Sequence, residues 1–260
     1  MSIVNPPRRL NILFAGGCQV EGFPVGRENS FPTLVGIQLA EEGLEVDIAR
    51  VGYLSLIHSS RLFQTAYRPD VLVLQMGHYE LSLGYRFHRA IPRWLKPRKS
   101  SAQSVGLSLC DRCPVTSLDT NEWAYRLKNG FRKAGDLAVC HRLVDLCSYE
   151  RQMADFFARA RSMRVHKVLV LSPFPCVDSA TMFYRRSGAS VRALAEKYGF
   201  EYLDVIALDP KKRDTILTPE GFYADPYHLG IAGHRAVAGA IVRALACQAP
   251  VSEVTRSGRA

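Results

Sequence analysis

Apolar residues along this 260-residue chain fall in short unbroken runs separated by amphipathic stretches. Leu10 to Ala15 is mostly apolar and ends in Gly16-Gly17, which predicts a buried strand entering a tight turn. Phe31 to Glu42 sets Leu34, Ile37 and Leu39 among polar positions and stops at Gly43, which predicts a helix. Val46 to Val51 is a second strand, closed by Gly52. Ser59 to Tyr67 suits a short helix, and Arg68-Pro69-Asp70 turns the chain into a third strand, Val71 to Gln75.

The same alternation resumes later in the chain. Lys167 to Leu171 reads as a fourth strand, Ser190 to Tyr198 as a helix stopped by Gly199, Tyr202 to Ile206 as a fifth strand, and Ile231 to Leu245 as a closing helix. Strands alternating with crossover helices predict an α/β fold, a parallel sheet covered on both faces, with strand order 2-1-3-4-5. The interval between strands three and four is different. Leu83 to Asp119 is basic and contains three prolines. Thr120 to Met163 reads as one long helix or as two broken near Gly130 and Gly135, with Asp119 and Glu122 at capping-box spacing. The expected organisation is one domain over 1–247, with a helical insertion at about 83–163 and a tail over 248–260.

Composition narrows the function classes. A hydrophobic fraction of 47% supplies one core, and no run approaches the roughly 20 apolar residues of a membrane span. Met1 to Leu10 lacks the apolar region and cleavage site of a signal peptide, so the expected location is cytoplasmic. Seven cysteines, an odd number without scaffold spacing, read as reduced thiols. The net charge of +10 gathers at Arg8-Arg9, Arg93 to Lys99, Arg159 to Lys167 and Lys211 to Arg213. No nucleic-acid signature accompanies it and no aromatics are interleaved, so a nucleic-acid partner is not expected. Cys110 and Cys113 have the spacing of half a zinc site, but Cys140, His141 and Cys147 complete no familiar pattern. No metal and no cofactor are expected.

In an open parallel sheet, ligands sit at the carboxyl ends of the strands. Those ends carry Gly16-Gly17-Cys18-Gln19 with Gly22 beyond, Gly52-Tyr53, and Gly77-His78-Tyr79-Glu80, and Asp225-Pro226-Tyr227-His228 precedes the last helix. In order and spacing these resemble the four sequence blocks of the SGNH (GDSL-type) hydrolase superfamily, whose first block is Gly-Asp-Ser and whose last is Asp-x-x-His. The resemblance runs the length of the chain except for Leu83 to Met163. It implies a flavodoxin-like three-layer α/β/α sandwich, a nucleophile at Cys18 where the family has serine, and an oxyanion hole formed by Cys18, Gly52 and the residue at Tyr79. Tyr79 stands where the family has asparagine, and Gly17 where it has aspartate. Gly-Cys-Gln also resembles the opening of certain bacterial capsule-polysaccharide-modifying proteins that handle acyl-coenzyme A.

The residues themselves support the same chemistry. A thiol at a strand-to-helix turn lies near free backbone N–H groups that favour its anion. His228 can take its proton, and Asp225 three residues earlier can fix the imidazole tautomer. Backbone N–H groups of Cys18 and Gly52 can serve an oxyanion, and a glycine at 52 allows close approach of the backbone. Gly17, Gln19 and His78 are expected beside the substrate. Simpler readings stand next to these: Cys18 as a small buried turn residue, Asp225 and His228 as an ordinary cap, His78 as loop packing, and His234 as structural.

The expected activity is therefore that of an esterase, acyl hydrolase or acyltransferase using a Cys18-His228-Asp225 triad. The substrate class is a small ester or thioester, such as an acylated sugar or acyl-coenzyme A. The alternative is an inactive SGNH-like protein that binds a carbohydrate or acyl ligand, which Gly17 and Tyr79 motivate. The zinc question, the acyl donor and acceptor, and the oligomeric state are left open by the sequence.

Overall fold

Alternate residues of each central strand face opposite layers, and this period of two builds the core. A computed structural model describes residues 9–56, 59–76, 146–174, 181–209, 217–225 and 228–246. Strands β1 (Arg9–Gly16), β2 (Glu45–Val51), β3 (Val71–Gln75), β4 (Lys167–Leu171) and β5 (Glu201–Leu203) pair in parallel in the order β2-β1-β3-β4-β5. That is the order expected from the alternating pattern.

Helices α1 (Phe31–Glu41) and α5 (Ile231–Ala246) cover one face. There Ile12, Phe14, Val73 and Leu169 meet Phe31, Val35, Val237 and Ile241. The short α2 (Ser60–Phe63), with α3 (Leu146–Ser162) and α4 (Thr181–Lys197), covers the other. On that side Leu13, Leu72, Leu74 and Val170 meet Leu62, Met153, Phe157 and Val191. Asp70 fixes the register of β1 against β3: its carboxylate accepts the Asn11 backbone N–H at 2.9 Å, and its own N–H donates to the Asn11 carbonyl at 2.8 Å.

Four elements differ from the pattern. Helix α4 begins nine residues before Ser190, because packing carries the helix through the weak formers Ser187 and Gly188, both buried. Strand β5 stops at Leu203, where the Val205 N–H turns to the buried Ser172 hydroxyl at 3.0 Å and a 3-10 turn, Ile206–Leu208, follows. Helix α2 has four residues rather than the nine expected from Ser59 to Tyr67. The stretch grouped with the insertion ends in α3, whose Met153, Phe156, Phe157 and Ala160 belong to the core under the sheet. The rest of the insertion before residue 146 and the tail after residue 246 lie outside the described residues. No helix among the described residues is long and apolar enough to cross a membrane.

A small antiparallel pair, β6 (Tyr223–Asp225) and β7 (His228–Leu229), precedes α5 and sets Asp225 opposite His228. The Gly230 N–H donates to the Phe222 carbonyl at 2.9 Å, which pins this pair to the start of α5.

Candidate active site

The first strand ends where its neighbour leaves no room for a side chain. A Cβ on Gly16 would lie 2.5 Å from the Gln75 carbonyl and 2.8 Å from the Gln75 Cβ, so glycine lets β1 and β3 close at this point. Beyond it, Gly17 is extended and Cys18–Glu21 forms a 3-10 turn. Gly22 ends that turn with φ 86°, a left-handed conformation that glycine adopts at little cost. The turn is tied down from three directions. The buried Gln75 side chain accepts the Gly17 N–H at 2.8 Å. Gln19 Oε1 accepts the Leu229 N–H at 3.3 Å, and the Arg50 guanidinium donates to the Val20 carbonyl at 3.4 Å. Arg50 also donates to the Ser30 hydroxyl at 3.0 Å and to Thr33.

Cys18 is buried, with 8% of its surface exposed, and its side chain lies near enough to the His228 ring to raise the ring's pKa. Asp225 grips the same ring from the other side, with its two carboxylate oxygens 2.9 and 2.7 Å from Nδ1. It also accepts the His228 backbone N–H at 2.9 Å. A carboxylate only accepts, so Nδ1 carries a proton and donates it, which leaves Nε2 for Cys18. Phe23 packs edge-on against the ring, with centroids 4.7 Å apart, and limits its rotation. Burial by itself would lower the His228 pKa; the hydrogen bonds and charges of Asp225 and Cys18 outweigh it and lift the pKa to about 9. The structure thus brings Cys18, His228 and Asp225 together, with Asp225 hydrogen-bonded to His228.

The surroundings differ from expectation in two respects. Gln19, expected to touch substrate, is 1% exposed and joins the Cys18 turn to β7 as a brace. The space that glycine opens at position 52 is filled: a Cβ there would meet the Glu21 side chain at 2.3 Å. Glu21 itself faces Arg27 at 3.9 Å. Tyr53, next in sequence, has φ 53°, which is rare for a bulky residue. Gly77, His78 and Tyr79 lie outside the described residues, as do Cys110, Cys113, Cys140 and His141. No group of three His, Cys, Asp or Glu converges as a metal site among the described residues.

Sequence reasoning missed Gln75 and Glu21. Their roles depend on which residue each meets across the sheet end, and no local motif carries that. His234 is fully buried as a structural residue. Its Nδ1 accepts the Phe31 N–H at 3.1 Å, its ring stacks on Phe31, and burial, with the nearby charge of His228, lowers its pKa to about 3.

The fold is shared with solved esterases and G-D-S-L proteins. A G-D-S-L lipolytic family member from Veillonella parvula superposes with a TM-score of 0.56 at 10% identity, over 91% of this chain and 98% of that one. An acetylxylan esterase from Geobacillus stearothermophilus gives 0.54 at 16% identity, over 90% and 93%. The acetyl xylan esterase AlAXEase gives 0.55 at 17%, over 91% and 100%. No protein-family model matches the chain, and neither does any curated protein.

Proposed function

We propose that the protein is an SGNH-type acyl-transfer enzyme, an esterase or acyltransferase, that carries its acyl group on Cys18. The observation that bears this reading is the placing of Asp225, His228 and Cys18 together, with two carboxylate contacts on Nδ1 and the sulfur near enough to raise the ring's pKa. The esterases among the structures that share the fold point the same way.

An imidazole that keeps its proton to about pH 9 is a proton donor at neutral pH. Cysteine attacks as its sulfur anion, and the His228 imidazolium stands beside the Cys18 sulfur. The sulfur attacks the substrate carbonyl carbon, and the carbonyl π electrons move to oxygen. The N–H groups of Cys18 and Gly52, with Tyr79 as a further donor, receive that oxyanion. As the oxyanion collapses, the bond to the leaving alcohol or thiol breaks and His228 supplies its proton. Neutral His228 then takes a proton from water or an acceptor hydroxyl, which attacks the acyl-Cys18 thioester and releases the sulfur. Asp225 holds the tautomer and offsets the ring's charge throughout. Small esters and thioesters, such as acylated sugars or acyl-coenzyme A, fit this chemistry.

Intact-mass spectrometry after brief incubation with p-nitrophenyl acetate or acetyl-coenzyme A tests the reading. An acyl adduct mapped to Cys18, absent in Cys18→Ala and reduced in His228→Ala, is expected, and the preferred donor separates esterase from transferase. Absence of both adduct and turnover, with Cys18 alkylating no faster than the other thiols, refutes it and favours a binding-only protein.

A further inference from the structure

A cavity of about 390 Å³ opens at the carboxyl end of β2, between the Cys18 turn and α2. Its walls include Glu21, Arg50, Gly52, Tyr53, Arg61 and Gln64. Gly52, the proposed oxyanion donor, is one of them, whereas Cys18 and His228 are not. The volume falls within the range of small-ligand sites.

The charges of this lining do not cancel. Arg50 and Arg61 oppose a single carboxylate, Glu21, which leaves one positive charge in excess. Arg50 forms the fixed part of the wall. Its guanidinium is held by the Val20 carbonyl, Ser30 and Thr33, and burial, then the charge of Arg27, lowers its pKa against the opposing pull of Glu21. Glu21 is itself shared between Arg50 and Arg27. Arg61 is exposed and makes no ion pair among the described residues. The unbalanced charge is therefore Arg61's, on a planar fork that matches a carboxylate or phosphate.

Around it, the Gln64 amide adds a donor and an acceptor, and Tyr53 adds a ring beside the same space. Hydrogen-bonding groups of both kinds with an aromatic side chain suit a hydroxyl-bearing ligand better than a bare acyl chain.

We propose that this cavity binds a sugar unit bearing one anionic group, a carboxylate or a phosphate, with Arg61 as the ligand of the anion. Its meaning as a substrate subsite rests on the acyl-Cys18 reading; the binding itself does not. The bound sugar would present an ester, or an acyl-accepting hydroxyl, toward Cys18 past Gly52.

Calorimetric titration of the full chain at low ionic strength with D-glucuronate, glucose 6-phosphate and glucose tests this. At least one anionic sugar should bind about tenfold or more tighter than glucose, as a charge-assisted pair implies. The two anions separate a carboxylate site from a phosphate site. Arg61→Ala should abolish the preference and Arg61→Lys should keep part of it, with circular dichroism confirming the fold of each. Cys18→Ala should bind as the wild type does. Absence of acyl adducts with the preference intact would refute the acyl-Cys18 reading alone. Equal binding of glucose and both anions, no binding by any of the three, or an unchanged preference in Arg61→Ala would overturn the subsite.

Discussion

Replacing Asp225 by asparagine should remove a pH dependence of stability that His228 imposes. The ring's pKa rises from 6.5 in the unfolded chain to about 9 in the fold. At roughly 1.4 kcal/mol per pH unit, that rise is worth about 3 kcal/mol. Between these two values the native state binds more protons than the unfolded state. The contribution is therefore complete below pH 6.5 and disappears as pH climbs through about 9. His234, with its lowered pKa, acts below about pH 6.5 and so contributes at the acid end in both proteins, where the comparison between them removes it. In Asp225→Asn the contacts at 2.7 and 2.9 Å lose their charge, and burial is then opposed by Cys18 alone. Urea denaturation at pH 6 and pH 9.5 should show the wild type losing more across the interval than the variant, by at most about 3 kcal/mol. Comparing the two proteins cancels the other thiols and phenols that titrate there. Equal losses in the two proteins, or a His228 resonance titrating near 6.5, would refute the electrostatic account of the site.

Three further outcomes follow from the geometry. Gln75→Ala leaves the buried Gly17 N–H without its acceptor at 2.8 Å; unfolding should show a loss of about 1–3 kcal/mol, and Cys18 alkylation should slow. Gly52→Ala drives a methyl into Glu21, so it should destabilise alone but far less in a Glu21→Ala background, a coupling that a double-mutant cycle in urea measures. Cys18→Ser needs a neutral imidazole to become nucleophilic; its p-nitrophenyl acetate turnover should fall by about tenfold or more at pH 7 and recover as pH rises.

Much of the sheet could be read from the chain because its strands are short apolar runs that alternate between two layers, as Ile12 and Phe14 do against Leu13 and Ala15. Crossover handedness and short connections then leave few strand orders. That Cys18, Asp225 and His228 would lie together was legible because strand-end turns meet at one edge of a parallel sheet. Gln75 was not, since it reads as the polar end of a buried strand until the pairing of Gly16 with Gln75 sets it beside the Cys18 turn. Glu21 has the same difficulty, its place against Gly52 being a matter of two loops meeting. Strands β6 and β7, with three and two residues, are too short to carry a period at all.

Gly17 in place of the family's aspartate was a reason to suspect a site that binds without reacting. The fold answers that departure from a different strand. Gln75 holds the Gly17 N–H, Gln19 joins the turn to β7, and Arg50 holds it from β2, so the order a side chain at 17 would supply arrives from three neighbours. The departure at Cys18 has a partner as well. A serine depends on a neutral imidazole to accept its proton, whereas Cys18 itself helps to raise the pKa of the ring beside it. A sulfur nucleophile works as its anion and gains from a cation beside it. On the acyl-Cys18 reading, the close grip of Asp225 on His228 fixes the ring's tautomer and supports its cationic form, as it would for a serine, and a sulfur nucleophile gains further from that cation.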